Sequence, residues 1–144
     1  MQNRIFTIGS SDRPKEEFIN ILKKSGISLL VDVRSKTGSR TLHFDESRFN
    51  NLSKMLRENG IGYDASLHKE LGGFQNGKTT ISNFRRYTQY SPSFGAALDS
   101  LKEKVRNNDG NVVILCCERD PKQCHRKVIG DILEADGWLA FHLE

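Results

Sequence analysis

No apolar run in this sequence approaches the roughly 18 residues that a membrane-spanning helix needs. The opening "MQNRIFTIGSSD" is short of apolar residues too, with one basic residue and no stretch long enough for a secretory h-region. The first absence excludes a helical membrane protein, and the second leads us to expect no signal peptide. Cysteine is scarce: there are three in 144 residues, all between positions 116 and 124. An odd count with two cysteines adjacent argues against a disulfide framework, and in the cytoplasm, the compartment we expect, the thiols should stay reduced. Internal repeats and low-complexity tracts are missing as well. What is present is a balance of 28% charged and 36% hydrophobic residues, on a chain of a length that suits one domain over residues 1–144.

The formal net charge is +4, a mild excess that favours anionic partners. Its distribution is more informative. "RSKTGSR" places Arg34, Lys36 and Arg40 around Gly38, and "NGKTTISNFRRY" places Lys78, Arg85 and Arg86 close to Phe74 and Tyr87. Both stretches read as exposed loops or loop-to-helix junctions, suited to solvation or to phosphate contact.

The order of elements follows from hydrophobic period and punctuation. "RIFTIG" is a β-branched and aromatic run, and "SSDRP" after it offers a Ser or Asp N-cap with Pro14 in a first turn. Phe18, Ile21 and Leu22 form the apolar stripe of a helix that ends at Gly26, where a left-handed cap would stand. "ISLLVDVR" then runs apolar without alternation, as a strand buried on both faces of a parallel sheet does. Asp45 offers a cap to a helix carrying Phe49, Leu52 and Leu56, with Gly60 as its stop, and "IGYDASLH" suits a short strand. From Leu71 to Pro92 the pattern reads as a glycine-rich loop feeding a short helix. Phe94, Ala97, Leu98, Leu101 and Val105 mark another helix, "NVVILCCE" a buried strand, "HRKVIGDILEADG" a helix stopped by Gly137, and "WLAFHL" a last strand. Alternating strands and helices imply right-handed crossovers: an α/β fold with a mainly parallel sheet and helices on both faces, a Rossmann-like three-layer arrangement in a single domain.

Open α/β sheets bind ligands outside the carboxyl ends of their strands. Gly9 and Ser10 close the first strand here, Asp32 and Arg34 the second, and Cys116, Cys117 and Glu118 the strand "NVVILCCE". The next stretch, "RDPKQCHR", turns into the last long helix, with Cys124 near its start and His125 and Arg126 in its first turn. Free amides at such a terminus, together with Arg126, make an anion site, and a thiol there ionises more readily. Cys116 and Cys117 have packing as an alternative role, because buried cysteine is common in cores. The spacing of the cysteines is not that of structural zinc, which takes pairs two to four residues apart, and we predict no metal site.

These residues carry a resemblance. "TIGSSDRPKEEFINILKKSGISLLVDVRSKTGSR", "LGG" at 71–73 and "LCCERDPKQCHR" are similar in spacing to the domain-of-unknown-function family 488, whose late signature is C-x-E-x-D-P-x-x-C-H-R. The resemblance implies a compact α/β fold and points to Asp32, Arg34, Ser39, Gly72, Gly73, Cys116, Glu118, Cys124, His125 and Arg126. Members usually carry a proline in the loop after Val-Asp-Val-Arg, and "SKTGS" has none. A looser likeness to rhodanese sulfurtransferases fails at the cysteine loop, which lacks glycine and sets Glu118 near the thiol, where a carboxylate disfavours the thiolate. The cysteine-phosphatase spacing fails too, since Lys122 and Gln123 stand where its arginine would be.

The expectation is an enzyme acting on a nucleotide-like or phosphate-bearing small anionic ligand. Asp32, Glu118, Cys124 and His125 are its candidate catalytic residues, and Arg34, Ser39, Gly72, Gly73, Cys116 and Arg126 its candidate substrate-binding ones. The alternative is a nucleic-acid-binding or processing protein tracking phosphates with its basic loops and stacking bases on Phe74 and Tyr87. A non-catalytic ligand- or redox-sensing module is the third reading. No cofactor is indicated.

Overall fold

A computed structural model describes residues 3–9, 14–33, 49–66, 71, 81–116 and 125–143. Five strands form one sheet: β1 (Arg4–Gly9), β2 (Ile27–Asp32), β3 (Gly62–Asp64), β4 (Asn111–Cys116) and β5 (Leu139–Leu143). All of its pairings are parallel, and the spatial order is β3-β2-β4-β1-β5. The chain therefore lays down β1, β2 and β3 in one direction, returns to insert β4 between β2 and β1, and finishes at the far edge with β5. The expected parallel three-layer α/β arrangement is present, with the strand "NVVILC" at its centre.

Helices α1 (Lys15–Lys24) and α2 (Phe49–Glu58) cover one face. Their Phe18, Ile19, Leu22, Met55 and Leu56 pack with Ile8, Leu30, Val113 and Leu115 from the sheet. Helices α3 (Ile81–Tyr90), α4 (Pro92–Arg106) and α5 (His125–Ala135) belong to the other face. There Phe94, Leu98, Leu101, Val128, Ile129 and Leu133 meet Ile5, Val31, Val112 and Ile114. Strand alternation sends neighbouring residues to opposite faces, so Val112 through Leu115, all fully buried, divide between the two cores. That is why "VVILC", after Asn111, has no polar position.

Helix boundaries follow the glycines. Gly26, Gly60 and Gly137 take φ of 68°, 76° and 89°, a left-handed turn that glycine enters without steric cost, just past α1, α2 and α5. The start of α1 differs from expectation. Pro14 occupies the N-cap itself, with φ −64° and ψ 150°, and no side chain caps the helix; Ser11 and Asp12, the expected caps, lie outside the described residues. Asp45, expected to cap α2, lies outside them too. The α4 cap is one that sequence period missed: Ser91 Oγ accepts from the Phe94 amide at 3.3 Å, with Pro92 opening the helix. No described helix is long and apolar enough to cross a membrane.

Candidate functional site

Three adjacent strands, β2, β4 and β1, end together. Gly9 is in register with Cys116, and Asp32 with Leu115. The Val33 amide donates to the Leu115 carbonyl at 3.0 Å, carrying the β2–β4 ladder one residue further. The tip of β4 is flanked by strands whose next helices lie on the α1/α2 face, whereas its own next helix, α5, lies on the opposite face. This divergence makes the tip of β4 a topological switch point, the place where open parallel α/β sheets bind their ligands.

Asp32 is fully buried at this edge. Its Oδ2 accepts a hydrogen bond of 2.6 Å from the hydroxyl of Tyr63. Register explains the contact. Tyr63 stands beside Leu30 on β3, on the same face as Asp32 two residues further along β2, and a phenol is long enough to reach that diagonal neighbour. A carboxylate removed from water is costly without donors, so Tyr63 makes Asp32 tenable here. Sequence reading missed Tyr63. Its only signal was a tyrosine in a short strand, and its value depends on β3 lying next to β2.

Cys116 lies at the end of β4, 8% exposed. Alternation from Leu115 sends it to the face opposite Asp32. Cys116 is disulfide-bonded, which corrects the expectation of reduced thiols. All three cysteines fall within nine positions, so proximity along the chain favours a bond that compartment reasoning had discounted. Cys117 and Cys124 lie outside the described residues.

Helix α5 begins at His125, so His125 and Arg126 occupy its first turn, with no acidic residue among the first positions. Arg34, Ser39, Gly72, Gly73 and Glu118 lie outside the described residues, as do Lys36, Arg40, Phe74 and Lys78. Leu71, just before the two glycines, is fully buried in the α4/α5 core. In α3, Arg86 is exposed, while Tyr87 packs its ring edge-on against Phe94 with centroids 5.6 Å apart. Among the described residues, no group of three His, Cys, Asp or Glu side chains is placed to hold a metal.

Two polar contacts brace the edges of this region. Asp64, at the end of β3, accepts from Lys104 of α4 at 2.6 Å and from the backbone and hydroxyl of Ser66 at 2.8 and 2.6 Å. Burial pushes its carboxyl upward, but the donors and the ammonium outweigh burial and hold it below its ordinary range. On the other side, buried Thr7 is 2.6 Å from Nδ1 of His142, its register partner on β5.

Comparison with curated proteins gave no match, and neither did comparison with solved structures. The family model described as "Domain of unknown function DUF488" matches residues 14–133, a span from the N-cap of α1 almost to the end of α5 that includes the tips of β2 and β4. With that match over most of its length, the chain belongs to the DUF488 family.

Proposed function

We propose that this protein is an enzyme acting on a nucleotide-like or phosphate-bearing small molecule bound outside the carboxyl ends of β1, β4 and β2. The observation that carries the reading is the fully buried Asp32 with the Tyr63 hydroxyl 2.6 Å from its Oδ2, at the carboxyl end of β2, the side on which such sheets bind ligands. A carboxylate held in one orientation by a phenol is equipped for general acid or base work. Glu118, close after Cys116 in sequence, is the second candidate for that role. The first turn of α5, with His125 and Arg126, supplies amide dipoles and a cation for an anionic group, and Arg34 adds a second guanidinium. Ser39, Gly72 and Gly73 are assigned to the rim, with Cys124 and His125 assisting. Cys116, tied in a disulfide, serves as wall and not as nucleophile.

A thermal-shift screen with nucleotides, sugar phosphates, inorganic phosphate and divalent cations tests the reading. A phosphate-bearing ligand at about one hundred times its Kd stabilises by about 2.7 kcal/mol, which raises Tm by several degrees in a chain of this size. Arg126→Ala is expected to abolish that rise. A panel without any phosphate ligand, together with an oligonucleotide whose binding falls steeply with salt, would instead favour the nucleic-acid alternative.

A further inference from the structure

The site leaves one feature unused, at the opposite side of the sheet from β3. Leu139 and Phe141 of β5 are 40% and 41% exposed, among the few large apolar side chains so placed. They point to the α1/α2 face. Phe6 of β1, the register partner of Phe141, stacks on it with centroids 5.1 Å apart and planes at 26°. The result is an apolar strip at the edge of the sheet. Natural proteins guard such strands with lysine, proline or a bulge. The sequence of β5, "LAFHL", contains no Lys, Arg, Asp, Glu or Pro in a chain that is 28% charged, and its pairing with β1 runs through all five residues in unbroken register.

We propose that this strip binds a second copy of the chain, with β5 antiparallel to its counterpart across a two-fold axis beside Phe141. The choice of occupant rests on symmetry, charge and area. Phe141 is the middle residue of β5, so an axis there sets Phe141 against the second copy's Phe141 and Leu139 against the second copy's Leu143. The two Phe6–Phe141 stacks then join into one row of four rings, an isologous contact in which each surface is its own complement. Like charge does not oppose it. Arg4, beside Leu139, is the strip's described cation, and the two-fold sets the two copies of it roughly 20 Å apart by strand spacings, beyond a Debye length of about 8 Å. A stable dimer buries about 800 Å² per subunit, close to a tenth of this chain's 8035 Å². A strip two strands wide offers less than that, so the association is weak, with Kd on the order of 10 μM to 1 mM.

Sedimentation velocity and light scattering over that concentration range test the assembly on the full chain. The expected result is a reversible shift from monomer to dimer mass, with Kd raised at least tenfold by F141K and by L139E. F141E and F141K, each monomeric alone, should form a heterodimer when mixed, because the axis places the two substituted positions side by side. Circular dichroism confirms folding, and if F141K does not fold, L139E at its more peripheral position carries the test. A chain that stays monomeric to about 1 mM overturns the proposal. So does a dimer that both substitutions leave intact, since that dimer would use another surface.

Discussion

The hydroxyl of the half-buried Tyr63 meets the fully buried carboxylate of Asp32, so the effect of removing either depends on what is left behind. Tyr63→Phe takes away a donor to a buried acceptor, and should lower unfolding free energy by about 1–3 kcal/mol in chemical denaturation. Asp32→Asn keeps the shape and an acceptor oxygen. It should cost less than Tyr63→Phe while abolishing any turnover, which separates the proposed chemical role from the structural one. Asp64 offers a pH test. Its folded carboxyl lies below the ordinary value of 3.8, so the stability it contributes is present above that value and is lost as pH falls through the lower folded one. The ion pair with Lys104 is partly exposed, its side chains 22% and 31% accessible, and we expect no more than about 1 kcal/mol from it. Asp64→Asn should therefore reduce stability at neutral pH and lose less than the parent as pH falls below 3.8, read from urea midpoints. None of these pairings was legible from the residues alone. Asp32 was singled out by its place at a strand end, but Tyr63 and Lys104 gain meaning only from which strands and helices are neighbours.

Among the helices, two glycines in regular turns have opposite surroundings. A Cβ on Gly95 of α4 would meet nothing within 4 Å, whereas one on Gly130 of α5 would come within 2.9 Å of Cε1 of His142. Alanine is favoured over glycine in a helix by about 1 kcal/mol. Gly95→Ala should therefore raise Tm. Gly130→Ala should lower it, because the imidazole is held by Thr7 and overpacking costs about 1–3 kcal/mol. Differential scanning fluorimetry of the two variants side by side decides the point. Element by element, the sequence was readable where period and punctuation agree: "ISLLVD" and "NVVILC" are strands buried on both faces, and Gly26, Gly60 and Gly137 stand at helix ends. It was less readable where a local signal was brief. Pro92 opens α4 two residues before the apolar stripe begins at Phe94, and period alone starts that helix late.

For the molecule as a whole, hydrophobic period names the strands but carries no information on their neighbours, and so the position of β4 between β2 and β1 could not be read in advance. The redox state was misread for a related reason, since composition speaks to a compartment and not to how close two sulfurs come. A disulfide at Cys116 withholds two of the protein's three sulfurs from alkylation. Unreduced protein denatured in iodoacetamide should therefore gain one carbamidomethyl group, and reduced protein three, by intact mass. The insertion of β4 also has a consequence in time. Residues 1–110 contain β1, β2 and β3, yet β1 and β2 share no ladder, and each meets the sheet's centre only through a strand that follows them. A ribosome-bound chain of that length holds two apolar strands with an open slot between them. The β2–β3 ladder can form within that length, but β1 cannot join it before Asn111–Cys116 arrives, with long loops closed before the central ladders reward them, so completion of the sheet should be slow and late in synthesis. During that wait the exposed edges of β1 and β2 are what a chaperone would shield.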